Sequence, residues 1–273
     1  MTSYTFALTE PIDLSCRFRQ GSLVVRAEDG RTEAEVSVTP RAAGSDVLDH
    51  STIELDGHTL VVHVPTDRNS VFESFFQRQH SRDAVDVLIQ LPSGSPLNVA
   101  VYSADITVHG RTGSVQLAGG SSQIVLDQVD GELQVRGGSG DIRVETVSGS
   151  ANFKGGSGTV RIGEAGSDVT VSVGTGALDL GIARGPVRMR SGSGDVVIGT
   201  AERDVDVTSG SGALVIGLPA GQAARLDVLT GSGRLNTEMP MEGSAPVGGQ
   251  PITVRARTGS GDVTIRRCTA PVS

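Results

Sequence analysis

Aromatic residues are scarce in this chain, which has no Trp, two Tyr and six Phe among 273 residues. A hydrophobic core made from this composition must be largely aliphatic. Proteins that bind single-stranded nucleic acid commonly stack bases on aromatic side chains. The formal net charge of −8 is also unfavourable for contacts with phosphates. The shortage of aromatic residues and the acidic charge together argue against a nucleic-acid-binding protein.

Cysteine and long apolar runs are scarce as well. Cys16 and Cys268 lie near opposite ends of the chain, and neither belongs to a C-x-x-C motif, so the sequence predicts no disulfide framework and no zinc site. No stretch approaches the roughly 18 consecutive apolar residues of a transmembrane helix. Residues 1–22 lack a basic segment followed by an apolar run, so no secretory signal is predicted. We therefore expect a cytoplasmic protein with two buried thiols.

Glycine, by contrast, is abundant, and much of it recurs at a fixed interval. The chain has 37 glycines, and the motif GSGDIRV at Gly138–Val144 returns in related forms every 18 residues. A second series of mostly glycine positions lies midway between, so the repeat can also be divided into units of nine. The main aligned glycines are Gly140, Gly158, Gly176, Gly194 and Gly212. A fixed period of this length indicates a repeat architecture.

The residues after each glycine alternate between apolar and polar, which indicates short β-strands. Ile142 and Val144 form one such apolar pair, and Val160 and Ile162 form the next in the same series. Because nine is odd, an unbroken strand would send successive apolar pairs to opposite faces, so the glycine corners must redirect the backbone. Aligned at the longer period, the apolar positions form aliphatic columns. One column contains Ile106, Ile124, Ile142, Val160, Leu178, Val196 and Leu214.

These columns predict an all-β fold, namely a β-solenoid with 18-residue rungs of two short strands each. Successive rungs would pair at the usual strand spacing of about 4.8 Å. The alternative is an antiparallel β-meander in which neighbouring nine-residue units pair directly. The solenoid is favoured because an open, twisted sheet rarely exceeds about ten strands without curling or closing.

The regularity of the repeat predicts two regions. Residues 1–100 are expected to form an irregular β region that caps the solenoid, and residues 101–273 the β-strand-repeat solenoid itself. A Pro-, Gly- and Met-rich segment at about 238–250 is predicted to be a loop insertion, and Gly259–Arg267 reads as one more copy of the strand unit. A cap is expected because an exposed edge strand is a template for pairing with another chain.

The N-terminal region holds one aromatic cluster, in which Phe72, Phe75 and Phe76 supply three of the six Phe. Such a cluster is typical of a segment that packs over the end of a solenoid. The alternative is a contact with a partner or a membrane, which makes these three residues the candidate partner contact. Only three Arg surround them, fewer than the four to eight basic residues of an anionic-lipid patch. A membrane contact is therefore not favoured.

The repeated Gly-Ser-Gly-Asp-apolar-x-apolar unit, seen at Gly138–Val144 and Gly192–Ile198, resembles a known bacterial family. This is the adhesin-like β-strand-repeat family, whose domain is called toastrack. The preceding strand Val87–Pro92 is similar to that family too, and the resemblance covers most of the chain. It implies a β-rich, non-enzymatic domain, with relatives implicated in cell-envelope stress signalling. It supplies no catalytic residues, and the lack of a signal peptide departs from the adhesin label.

The sequence predicts no catalytic, cofactor-binding or metal-binding residues. No Ser has Gly at both the −2 and +2 positions, and Lys154 is the only lysine, so nucleophile-elbow and P-loop motifs are absent. The closest histidines, His58 and His63, are five residues apart on a predicted strand, which places them on opposite faces. The aspartates of the repeat occupy alternate rungs at most, so a calcium-binding ladder is not predicted either.

Three functions remain to be compared. The favoured one is a non-enzymatic scaffold or protein-interaction module with an unidentified protein partner, linked through the family resemblance to cell-envelope stress signalling. The second is a self-assembling or membrane-apposed, adhesin-like protein. The third is a polysaccharide-acting β-helix enzyme, for which Asp127 and Glu145, one rung apart, would be the carboxylate pair. Their column continues as glycine and lacks aromatic platforms for sugar, so an enzyme is not expected. The sequence predicts no particular oligomeric state.

Overall fold

The protein is described by a computed structural model. Its described residues are 2–42, 46–65, 84–238 and 251–268. Apart from one turn of 3-10 helix at Val47–His50, the regular structure in these ranges is entirely β-strand. The predicted loop insertion at about 238–250 lies outside the described residues, except for Glu238.

The chain divides into two compact units. Unit 1 comprises residues 1–131 and 135–138, and unit 2 comprises residues 132–134 and 139–273. The strands of unit 1 are β1 (Thr2–Ala7), β2 (Asp13–Glu28), β3 (Glu33–Pro40), β4 (Thr52–Asp56), β5 (Thr59–His63), β6 (Val85–Pro92), β7 (Leu97–Thr112), β8 (Val115–Ser121) and β9 (Ile124–Val129). Strand β10 (Leu133–Ser139) is divided between the two units.

The long strand β2 has parallel neighbours on both sides. On one side its first half pairs with β5 and its second half with β6, and on the other side it pairs with β7 along most of its length. Leu23, for example, is opposite both Val87 of β6 and Ile106 of β7. Beyond β5 and β6 the pairing becomes antiparallel: β4 pairs with β5, β3 with β6, and β1 with β3. The first long strand of the chain therefore lies inside the sheet.

Strand β7 begins the regular repeat. Its two halves pair in parallel with β8 and β9, so that Leu97 is opposite Val115 and Ile106 is opposite Ile124. In both cases the partner lies 18 residues later in the chain. One long strand in this rung thus corresponds to two short strands in the next.

Unit 2 consists of two series of parallel strands that alternate along the chain. Each strand pairs with the strand after next, from β11 with β13 to β17 with β19, and the paired residues are 18 apart. The strands are β11 (Ile142–Val147), β12 (Ala151–Ser157), β13 (Val160–Ala165), β14 (Val169–Thr175), β15 (Leu178–Ala183), β16 (Val187–Ser193), β17 (Val196–Ala201), β18 (Val205–Ser211), β19 (Leu214–Pro219), β20 (Ala224–Ser232), β21 (Leu235–Thr237), β22 (Ile252–Ser260) and β23 (Val263–Cys268).

This pairing confirms the all-β, parallel, solenoid-like class. The antiparallel meander is wrong for these strands, because neighbouring units in sequence belong to different series, and the pairing within each series is parallel. The predicted aliphatic columns are buried: Val160, Leu178 and Val196 are 2%, 1% and 0% exposed. Parallel pairing in register stacks each apolar side chain on its equivalent, and burial of a Val or Leu contributes about 1.5–3 kcal/mol.

The C-terminal strands of unit 2 are not stacked in chain order. Strand β22 pairs with β18 on one side and with β20 on the other, and β23 is placed in the same way between β19 and β21. Val254 is therefore opposite both Val205 and Leu226. The last strands of the chain lie one position inside, and β20 and β21 form the outermost rung of the described residues.

Glycine meets two different requirements in this stack. At the corner residue Gly194 the backbone adopts φ of +141°, which side chains disfavour. At Gly199 the strand is extended, but a Cβ atom there would lie 2.5 Å from the carbonyl oxygen of Gly181 in the preceding rung. The second requirement follows from the close approach of neighbouring rungs.

We expect Gly199→Ala to lower the free energy of unfolding by about 2 kcal/mol, because the added methyl group must push the rungs apart. Gly137→Ala is the control, since a Cβ there would contact the carbonyl oxygen of Gly119 at an ordinary 3.6 Å. The control is expected to change stability by less than about 0.5 kcal/mol. Urea denaturation of both variants measures the difference, and equal effects would contradict the steric explanation.

Candidate functional site

The sequence-predicted contact residues Phe72, Phe75 and Phe76 fall within residues 66–83, outside the described residues. Their role stays a prediction. Within the described ranges, no group of three or more His, Cys, Asp or Glu side chains could hold a metal ion. A candidate site must therefore lie elsewhere on the surface of one of the two units.

The aspartates of the repeat corners act as hydrogen-bond acceptors for the next rung. Asp141 Oδ1 accepts the backbone N–H of Thr159 at 2.9 Å, and Asp195 Oδ1 accepts that of Ala213 at 2.8 Å. Each carboxylate thus satisfies an amide of a rung whose own corner residue is not acidic. Asp105 accepts the backbone N–H of Gln123 in the same way, at 3.3 Å, so the aspartates of this column have a structural role that does not require calcium.

The carboxylates of the polysaccharide-cleavage hypothesis have ordinary surroundings. Asp127 Oδ2 accepts the backbone N–H of Gly110 at 3.0 Å and lies 3.4 Å from Nδ1 of His109. Glu145, in unit 2, is exposed on its strand. Asp127 is therefore engaged in holding the corner of the preceding rung.

The thiols are also unsuited to catalysis. Complete burial raises the pKa of Cys16 to about 12, so its thiolate is not formed at neutral pH. Cys268 is half-buried rather than buried, and its Sγ lies 2.9 Å from the carbonyl oxygen of Gly199, to which it donates. Both cysteines are free.

A shallow groove of about 550 Å³ lies on the surface of unit 1. It is lined by Ala100, Val101, Tyr102, Ala118, Gly119, Arg136 and Gly137. Val101 is 8% exposed and directed inward, whereas its partner in the next rung is Gly119. The groove is shallow, and Ala118, Gly119 and Gly137 along it have little or no side chain.

Tyr102 forms one wall of this groove and is 61% exposed. The guanidinium of Arg19 lies over its ring, with Cζ 5.3 Å from the ring centroid. Both residues point outward because their neighbours Phe18 and Val101, which are paired across β2 and β7, point inward. An exposed cation–π contact is worth about 0.5–1 kcal/mol, enough to favour one orientation of the ring.

Arg136 supplies the charge of the groove. It is exposed on β10, next to buried Val135. Among the described residues it has no ion pair within 4.0 Å and no side-chain hydrogen bond, so its guanidinium is free to bind a carboxylate in bidentate fashion. Tyr, Arg and a small apolar floor are typical of the centres of protein interfaces.

A second cavity in unit 1, of about 270 Å³, is a weaker candidate because its charges are already paired. Arg111 bonds Asp29 and Asp130, each at 3.1 Å. Hydrogen bonds from Ser93 and then Arg111 hold the pKa of Asp29 below its ordinary value. The lining residues are Leu8, Thr9, Glu10, Pro11, Asp29, Gly30, Arg31, Thr32, Pro92, Ser93 and Arg111.

The groove and its residues Arg19, Tyr102 and Arg136 were not predicted from the sequence. One signal was available there. The position filled by Val101 is glycine in each of the next three rungs, at Gly119, Gly137 and Gly155, an interruption in which three consecutive rungs carry no side chain. The exposed Tyr, one of only two in the chain, lies beside that interruption.

The fold and the groove define a solenoid-like β protein whose clearest surface feature is suited to binding. The chain matches the profile of the Toastrack DUF4097 family over residues 13–267, and it therefore belongs to that family. This confirms the resemblance seen in the repeat motifs.

Solved structures of similar proteins include putative adhesins from Parabacteroides distasonis and Bacteroides fragilis. Each is 12% identical to this chain, and each comparison covers 98% of this chain and 96% of the other, with TM-scores of 0.49 and 0.45. A putative cell adhesion protein from Clostridium sporogenes is also 12% identical, covering 98% and 99% of the two chains with a TM-score of 0.27.

A local similarity to a curated protein is of a different kind. Over 88 residues the chain is 33% identical to the chloroplastic 4-hydroxy-tetrahydrodipicolinate reductase 1 of Arabidopsis thaliana. That stretch is 32% of this chain and only 24% of the reductase.

Helical structure in the described residues is limited to Val47–His50, so none of them forms a helix able to cross a membrane.

Removal of a corner carboxylate tests the role assigned to the repeat aspartates. We expect Asp195→Ala to lower the free energy of unfolding by about 1 kcal/mol, because the N–H of Ala213 loses its acceptor. Asp195→Asn retains an acceptor oxygen and should recover part of the loss. Asp179→Ala, which removes an exposed carboxylate from the same unit, should have little effect in the same urea titration. A calcium-dependent stability of the wild type that Asp195→Ala abolishes would contradict this assignment.

Proposed function

We propose that this protein is a non-enzymatic protein-interaction scaffold that binds its partner through the groove of unit 1. The observation that carries the proposal is the pairing of a largely exposed, oriented Tyr102 with the unpaired Arg136 across a floor of Gly and Ala. Such a surface contributes contact area and one directed charge. It holds no nucleophile and no acid–base pair.

The groove favours a partner segment that presents an apolar side chain next to a carboxylate. The apolar group would pack on Ala100, Ala118 and the ring of Tyr102, and the carboxylate would reach the guanidinium of Arg136. Because Arg19 already orients the ring, little side-chain freedom is lost on binding. These features support a protein partner.

The cellular setting that we propose is the cytoplasm, with a role in cell-envelope stress signalling as the family resemblance implies. Two free cysteines, Cys16 and Cys268, support a reducing compartment. The N-terminal region, residues 1–100, is proposed to cap the repeat, and the cluster Phe72, Phe75 and Phe76 is proposed as a further partner contact.

Self-assembly is the second candidate function, and one observation favours it. The outermost described rung, β20 and β21, exposes Leu229 by 59% and Leu235 by 42%. An uncovered strand with apolar side chains can pair with another chain. High-speed sedimentation of the purified protein distinguishes the two functions, since a filament pellets alone and a scaffold does not.

Substitutions in the groove test the interaction scaffold. With the purified protein immobilised and cell extract as the source of partners, we expect Tyr102→Ala and Arg136→Ala each to reduce capture of a specific partner at least about tenfold. Ala118→Leu should do the same by filling the floor, because Ala118 is exposed and lines the groove. Arg143→Ala is the matched control, because Arg143 is equally exposed but lies on β11. Equal capture by all variants would overturn the proposal.

The proposed Phe contact is tested by the double variant Phe75→Ser and Phe76→Ser. We expect weaker capture of the same partner with an unchanged urea midpoint, because a contact surface adds little to the stability of the free protein. A lower midpoint with unchanged capture would instead assign this segment to the cap.

A further inference from the structure

The charges of unit 2 are sorted between its surfaces. We define the basic face as the outward side of β12, β14, β16, β18, β20 and β22. It carries six cations, Lys154, Arg188, Arg190, Arg225, Arg255 and Arg257, against two carboxylates, Asp206 and Asp227. This excess of positive charge stands on a chain whose net charge is −8.

The register of the strands brings four of these cations together. Arg188 is opposite Asp206, which is opposite Arg255 on the other side. In the adjacent column Arg190 and Arg257 flank Thr208 in the same way. Two rungs separate the Arg pairs by about 9.6 Å, and the two Arg of one strand lie about 6.8 Å apart. Four guanidinium groups thus share one small area.

Most of these cations are unpaired within the described part of the chain. Arg257 forms a long ion pair of 3.6 Å with Asp227, whereas Arg188, Arg190 and Arg255 have none within 4.0 Å. By contrast, Arg184 at a corner of the same unit is paired, because its Nε lies 2.6 Å from Oε1 of Glu164. The guanidinium groups of the basic face are therefore available to an external anion.

A glycine stripe beside the Arg columns keeps the surface flat. Gly192 and Gly259 are outward positions where a Cβ atom would lie 2.6 Å from the carbonyl oxygen of the neighbouring rung, on Gly174 and Gly210 respectively. Side chains are excluded there by the stacking of the rungs. The stripe leaves room for the backbone of a bound chain next to the guanidinium groups.

We propose that the basic face binds an extended acidic polypeptide segment. Carboxylates two residues apart on an extended chain are about 6.8 Å apart, the same spacing as Arg188 and Arg190 on their strand. Bidentate Arg–carboxylate contacts would fix such a segment. The described residues of this face offer no aromatic side chain for stacking on sugar. This inference is independent of the proposed function, because the groove belongs to unit 1.

Fluorescence anisotropy with a labelled peptide of alternating glutamate and serine tests the proposal. We expect salt-sensitive binding to the full chain, and no binding of the same peptide with glutamine in place of glutamate. The double variant Arg188→Gln and Arg190→Gln should weaken binding at least about tenfold. Tyr102→Ala should leave it unchanged, which separates this surface from the groove.

The matched control removes the same charge from the other series of strands. Arg143→Gln with Arg266→Gln takes two exposed, unpaired cations from β11 and β23 and should change the affinity less than about twofold. An equal loss in both double variants, at unchanged urea midpoints, would reduce the effect to net charge and overturn the proposal. Binding of phosphatidylserine vesicles or a sulfated polysaccharide, but not of the peptide, would overturn it as well.

Discussion

Close parallel stacking of one rung on the next is the constraint on which this structure depends. It satisfies the backbone hydrogen bonds of each strand, and it aligns equivalent aliphatic side chains so that Leu178 packs between Val160 and Val196. The same approach brings the carbonyl oxygen of Gly181 against the position of a Cβ at Gly199. It also allows Asp141 and Asp195 at the corners to accept a backbone N–H from the next rung. The repeated motif therefore reflects the requirements of backbone contacts between rungs and does not indicate a chemical site.

Stacking also determines where function can lie. Inward positions are mostly apolar and many corners are glycine, so functional features are largely confined to outward side chains and to patches of small residues. The groove is such a patch, formed by Ala118, Gly119 and Gly137 beside Tyr102. The basic face uses the outward positions instead, where sequence is free to place Arg188 and Arg190 next to one another. Both features suit recognition of a partner.

The repeat could be predicted from the sequence because equivalent apolar residues such as Ile142, Val160 and Leu178 recur every 18 positions. Each residue therefore pairs with one at a fixed, short distance along the chain. The ends could not be predicted. Strand β2 pairs with residues about 80 positions later, and Val254 is paired with Val205 and Leu226, 49 and 28 residues away, so no period reveals them. The groove was missed for another reason. Gly119 and Gly137 resemble the corner glycines in sequence, so their place in the column of Val101 does not distinguish a groove from another turn of the repeat.

The inward placement of the terminal strands has a consequence for synthesis. In unit 1, β2 leaves the ribosome before either of its parallel neighbours exists, and it must wait for residues 97–110 to complete its pairing. In unit 2 the order is reversed: β20 and β21 are made before the strands that separate them from β18 and β19. Rungs cannot simply be added in the order of translation. The outer rung must stay undocked, or detach again, until residues 251–268 emerge, so the stack is completed only after these residues have been made.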